Sequence, residues 1–84
     1  MMKCEIEAII IAILVDTLVV DVEVVIPSAR LVEDLGADSL NFLEVALEIN
    51  HVLDIELPPE GLAGTRKVED LHRLVHQTLT QAPI

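Results

Sequence analysis

A single aromatic side chain, Phe42, and a single cysteine, Cys4, leave this 84-residue chain only aliphatic packing with which to hold a fold together. One thiol cannot form an internal disulfide, and a reducing compartment is the default expectation. A chain of this length buries only about 60–65% of the surface its unfolded form exposes, so the fold has to be economical. Hydrophobic residues make up 52% of the sequence, enough for a core without covalent staples. The expectation is one domain over 1–84, with a core of Leu, Val, Ile and Ala.

The apolar residues recur at helical spacing. From Cys4 to about Leu18 the stripe is Ile6, Ile9, Ile10, Ile13, Leu14 and Leu18, with Glu5, Glu7, Asp16 and Thr17 outside it. The β-branched run Val19 to Ile26 suits a strand as well as a helix end, until Pro27 breaks whatever precedes it. Pro27 to Asp38 reads as a loop turned by Gly36 and pinned to the core by Leu31, Val32 and Leu35. A second helix begins at Asp38 or Ser39, both good N-cap residues, and runs to about Leu53. Pro58, Pro59, Gly61 and Gly64 leave room for one short turn near Glu60 to Ala63. A last helix places Val68, Leu71, Leu74, Val75 and Leu79 on one face and frays into a tail, from about 79 to 84. The predicted fold class is all-α, a four-helix bundle of three main helices and a short third one.

The second helix carries two apolar faces. Phe42, Val45, Ala46, Ile49 and Leu53 form the stripe that a small bundle buries. Leu40, Leu43 and Leu47 lie opposite, flanked by Glu44, Glu48 and His51. Either the Pro27–Gly36 loop folds over this second face, or it stays open as a carboxylate-edged leucine ridge for a protein partner.

Fifteen acidic residues against five basic ones give a net charge of −10. Such a field repels nucleic acid and anionic lipid, and steers proteins with basic patches toward the chain. The apolar run Ala8 to Val15 ends at Asp16, far short of the roughly 20 residues a membrane span requires. No basic segment with a small-residue cleavage site follows Met1, so the chain is read as a cytoplasmic, soluble monomer.

Catalytic chemistry finds little support. Ser39 and His51 stand on one helix about 18 Å apart along its axis, too far for a nucleophile and its base. Ser28 has no histidine near it in sequence. His72 and His76 have the i, i+4 spacing that can hold a metal, but no third ligand accompanies them and a solvated face explains the pair. Cys4 is a core filler or a surface thiol. No catalytic residue and no metal site are expected. Ser39 has more to offer: it opens a helix whose free N–H groups favour an anion, although many serines at helix starts are simply caps.

The run Val32-Glu33-Asp34-Leu35-Gly36-Ala37-Asp38-Ser39-Leu40 resembles the phosphopantetheine attachment region of bacterial acyl carrier proteins. The resemblance extends along most of the chain. Ile6 to Val20 is similar to that family's first helix, Leu53-Asp54-Ile55-Glu56-Leu57-Pro58 to the end of its second, and Val68-Glu69-Asp70-Leu71 to the start of its last. It implies a four-helix carrier that is not itself an enzyme. A Mg²⁺-dependent phosphopantetheinyl transferase would move 4'-phosphopantetheine from coenzyme A to Ser39, and the arm would then hold acyl groups as thioesters. It also implies that acyl-transferring or condensing enzymes with basic patches read the second helix at Asp38, Leu40, Leu43, Glu44, Leu47 and Glu48.

The chain departs from the family pattern in places. Asn41 stands where an acidic residue is common, Asn50-His51-Val52 replace a glutamate cluster, and Arg66-Lys67 replace threonines. These changes point to a specialised carrier of fatty acid, lipid or polyketide biosynthesis. Two alternatives share the fold: a peptidyl or aminoacyl carrier, and an interaction module that never receives the arm.

Overall fold

The computed structural model describes residues 3–81. Four α-helices follow one another: α1 (Lys3–Leu18), α2 (Ser39–Leu53), α3 (Pro59–Ala63) and α4 (Val68–Gln81). This is the all-α bundle that the apolar spacing predicts. Ile6, Ile10, Ile13 and Leu14 of α1 are buried against Val45, Ala46 and Ile49 of α2 and against Val68, Leu71, Leu74 and Val75 of α4. The core is wholly aliphatic; Phe42 is half-buried at its edge.

The ambiguous run after α1 is neither strand nor further helix. Val22–Val24 form one 3-10 turn. The helix stops because the Val20 N–H bonds the Val15 carbonyl at 3.3 Å across Val19, which stands in the left-handed region at φ 54°. This 6→1 closure usually has glycine at its left-handed position. A β-branched residue there is strained, and Val19, 86% exposed, gains nothing from packing in return. α2 closes in the same way, with Asp54 left-handed and Ile55 N–H bonded to the Asn50 carbonyl.

The Pro27–Asp38 loop is anchored at Ala29, Leu31, Leu35 and Ala37, all buried. Val32 is a correction: expected to pin the loop, it is 64% exposed. The turn from Arg30 to Gly36 is helical in pitch, with Asp34 and Leu35 N–H both bonded to the Arg30 carbonyl, so Leu31 and Leu35 share the inner face and Val32 falls outside it. Gly36 ends that turn at φ 75°. Backbone bonds then tie the loop to the start of α4: Glu69 N–H to Pro27 O at 2.9 Å, Val68 N–H to Ala29 O at 3.0 Å, and Leu31 N–H to Arg66 O at 2.9 Å.

α3 rests directly on α4. A Cβ on Gly61 would meet Leu74 Cδ1 at 2.5 Å, so this glycine serves a close approach and does not merely weaken the helix. α4 is longer than expected, since 79–81 continue its helix; 82–84 of the expected tail lie outside the described residues. Asp70, third residue of α4, accepts from the N–H groups of Lys67 at 3.1 Å and Arg66 at 3.2 Å. This is one half of a capping box. Those bonds, aided by the charges of Arg73 and Lys67, hold its carboxyl below the usual range although partial burial opposes them.

Two outcomes follow from these ends. Val19→Gly should raise stability by about 1 kcal/mol, because it releases a left-handed β-branched residue without emptying the core. An unchanged or lower urea midpoint would show that the strain is absorbed elsewhere. Asp70→Ala should cost about 1 kcal/mol near neutral pH. The Asp70 carboxyl is more acidic folded than unfolded, so its contribution is complete above the ordinary value of 3.8 and disappears as pH falls through the lower folded one. The gap between variant and wild type should therefore close in acid, and a gap independent of pH would remove the charge from the account.

Candidate functional site

The chain reaches α2 through Ala37, whose N–H returns to the Leu31 carbonyl at 2.9 Å. Asp38 is extended and caps the helix, its Oδ1 accepting from the Asn41 N–H at 2.8 Å. With Asp38 as the cap, Ser39 becomes the first helical residue, and its side chain is not spent on capping. Ser39 is exposed. The cap reading of this serine therefore belongs to its neighbour.

Two apolar clefts meet at Ser39. One, of about 350 Å³, runs back along the loop beside Leu31, Val32, Ala37 and Thr65. The other, of about 380 Å³, lies between α2 and α3 beside Ala46, Pro59 and Leu62. Phe42, one turn along α2 from Ser39, lines both. The exposed Val32 has its place here, as a cleft wall and not as an anchor. Any group joined to the Ser39 hydroxyl starts at a helix N-terminus, where an anion is favoured, and has apolar surface on either side.

The leucine ridge is open. Leu40, Leu43 and Leu47 are 64%, 53% and 57% exposed, and the Pro27–Gly36 loop packs toward α4 instead of covering them. Asp38, Glu44 and Glu48 are exposed beside them. Ser39 and the expected partner-facing residues thus share the exposed side of one helix, while Val45, Ala46 and Ile49 hold its other side in the core.

Other candidates separate from this site. His51 is exposed near the far end of α2, and Ser28 is exposed in the loop. His72 is buried, which corrects the solvated-face expectation; with His76, Glu7, Glu69 and Arg73 it lines a cleft between α1 and α4 of about 470 Å³. No group of three or more His, Cys, Asp or Glu among the described residues is arranged to hold a metal. Cys4 is exposed, a surface thiol and not a core filler. No described helix is long and apolar enough to cross a membrane.

One residue had a role that spacing alone does not reveal. Asn50 Oδ1 accepts from the Leu57 N–H at 3.0 Å, fastening the end of α2 to the segment before α3. The nearby buried Leu57 is the only cue in the sequence, and it becomes one only once the turn at Asp54 is known.

The model of the phosphopantetheine attachment site family matches residues 8–75. The chain is 44% identical to an acyl carrier protein of Syntrophus aciditrophicus over 62 residues, covering 74% of this chain and 78% of that protein. It is 39% identical to an acyl carrier protein of Syntrophobacter fumaroxidans (74% and 76% covered) and 36% identical to one of Campylobacter lari (70% and 77% covered). The matched region contains the loop, Ser39, both clefts and the ridge, and the chain belongs to the acyl carrier protein family, whose members bear phosphopantetheine and are carriers, not enzymes.

Proposed function

We propose that the 84-residue chain is a single carrier unit whose phosphopantetheine is joined to the hydroxyl oxygen of Ser39. The observation that carries this assignment is the position of Ser39: exposed, first in α2, relieved of capping by Asp38, and flanked by two apolar clefts. In the attachment step, the Ser39 oxygen displaces 3',5'-ADP from coenzyme A on a Mg²⁺-dependent phosphopantetheinyl transferase, and a new phosphodiester forms. The arm supplies a terminal thiol that holds an acyl group as a reactive thioester. The chain's own residues present it: the α2 N-terminus faces the phosphodiester, and tethering keeps the cargo at high local concentration beside each partner.

Asp38, Leu40, Leu43, Glu44, Leu47 and Glu48 are the surface that partner enzymes with basic patches read. Its exposed apolar ridge and flanking carboxylates suit contacts that form fast by steering and release readily. We read the carrier as a cytoplasmic monomer serving one fatty acid, lipid or polyketide pathway. Asn41, Arg66 and Lys67 are the departures that favour a specialised role. The missing glutamates after Ile49 do not by themselves favour an aminoacyl cargo, because Asn50 has a structural task there.

Incubation with coenzyme A, Mg²⁺ and a broad-specificity transferase should add the mass of one phosphopantetheine to the wild type and none to Ser39→Ala. Modification of the variant would move the site elsewhere, and no modification of folded, initially unmodified wild type would favour the interaction-module alternative. Leu43→Ala, which removes ridge surface without touching the core, should lower kcat/KM with a ridge-reading enzyme by about tenfold. An unchanged value in that assay counts against the ridge and leaves Ser39 standing.

A further inference from the structure

Beside the ridge, on a side of α2 that the Ser39 clefts do not reach, α1 and α2 enclose a groove of about 570 Å³. Ile9 and Ile13 of α1 and Leu47 of α2 give it apolar walls. Asp16 of α1 and Glu44 and Glu48 of α2 stand around them, and no lining residue is a cation. These three exposed carboxylates take part in no salt bridge among the described residues.

This combination restricts the occupant. A small cation would answer the carboxylates and leave the apolar walls wet, whereas an aliphatic chain would do the reverse. A lysine or arginine side chain does both, since its methylene stem lies on apolar surface while its head keeps hydrogen bonds with carboxylates. A second copy of the chain would bring a further net charge of −10 against the same face and is disfavoured.

We infer that the α1–α2 groove is a second docking surface, which takes a lysine or arginine projecting beside aliphatic residues on a partner protein. It rests on the reading of the leucine ridge as the partner face and extends it. A partner then straddles α2, with its apolar contacts on Leu40 and Leu43 and its cationic side chain passing Leu47 into the groove. Asp16 and Ile9, on a helix that the family resemblance does not implicate, become determinants of which partner fits.

The test is a titration of isotope-labelled full-length carrier with an amphipathic helical peptide of Leu and Lys, followed residue by residue through its amide resonances. A peptide with Glu in place of Lys, and free spermidine, run beside it. Amides of Ile9, Ala12, Ile13, Asp16 and Leu47 should shift together with those of Leu40 and Leu43. Neither the Glu peptide nor spermidine should reproduce the pattern. Asp16→Asn should weaken binding about 2–5-fold. Ala12→Arg, one turn before Asp16, should place a guanidinium of the chain's own in the groove and weaken binding by a similar factor. Glu23→Gln, on the exposed 3-10 turn away from the groove, should bind like wild type. Circular dichroism confirms that each variant is folded. Shifts confined to Leu40 and Leu43, or full binding by Ala12→Arg, would overturn the groove and leave the ridge intact. An equal response to spermidine would overturn the need for an aliphatic stem. Silence on both faces would overturn the groove and the ridge together.

Discussion

The long connection between α1 and α2 is held in place by its backbone bonds to the first turn of α4. Two accounting problems cancel there. The first N–H groups of a helix have no partners within it, and a loop that crosses the core carries carbonyls that cannot be left dry. The carbonyls of Pro27 and Ala29 meet the N–H groups of Glu69 and Val68, and the Leu31 N–H meets the Arg66 carbonyl. With the loop so tied, the buried side chains of Leu31, Leu35 and Ala37 bring the chain to Asp38 at one defined place. The position of Ser39 is therefore set from the opposite end of the sequence, by residues that never touch it.

Much of this could be read from residue spacing, and the failures have identifiable causes. The buried stripes of α1, α2 and α4 follow from the 3.6-residue period, and the exposed leucines of α2 follow from there being too few helices to cover both faces. Val32 was misjudged because hydrophobicity reports a tendency to bury, and the direction of a side chain in an irregular loop depends on a turn whose pitch the sequence states only weakly. The 3-10 turn at Val22–Val24 was obscured by β-branched residues whose propensity favours strand, where the described residues offer no neighbouring strand to pair with. His72 is buried because the position one residue after Leu71 also faces α1, which polarity by itself does not announce. The role of Asn50 depends on a backbone N–H brought back by the left-handed turn at Asp54, a contact with no periodic signature.

Charge is sorted along the molecule. Arg30 pairs with Glu33 and Asp34, and Arg73 with Asp70, around the loop and the first turns of α4. Exposed pairs of this kind contribute little individually. Their placement matters more: these cations are used near the loop–α4 junction and leave the carboxylates of α2 uncompensated. Glu44 and Glu48, on the helix that begins with Ser39, are among the carboxylates left without an ion pair among the described residues.

α3 is built differently from its neighbours. It has five residues, none of them buried, and at Gly61 it meets α4 through backbone where another helix would interlock a side chain. Its place is kept largely by the buried residues outside it, Leu57 before and Val68 after. Such a segment, with Leu62 as its side chain packed against the core, has little apolar area to expose on opening. Because Pro59 and Leu62 form one wall of the cleft beside Ser39, the width of that cleft is set by where α3 lies.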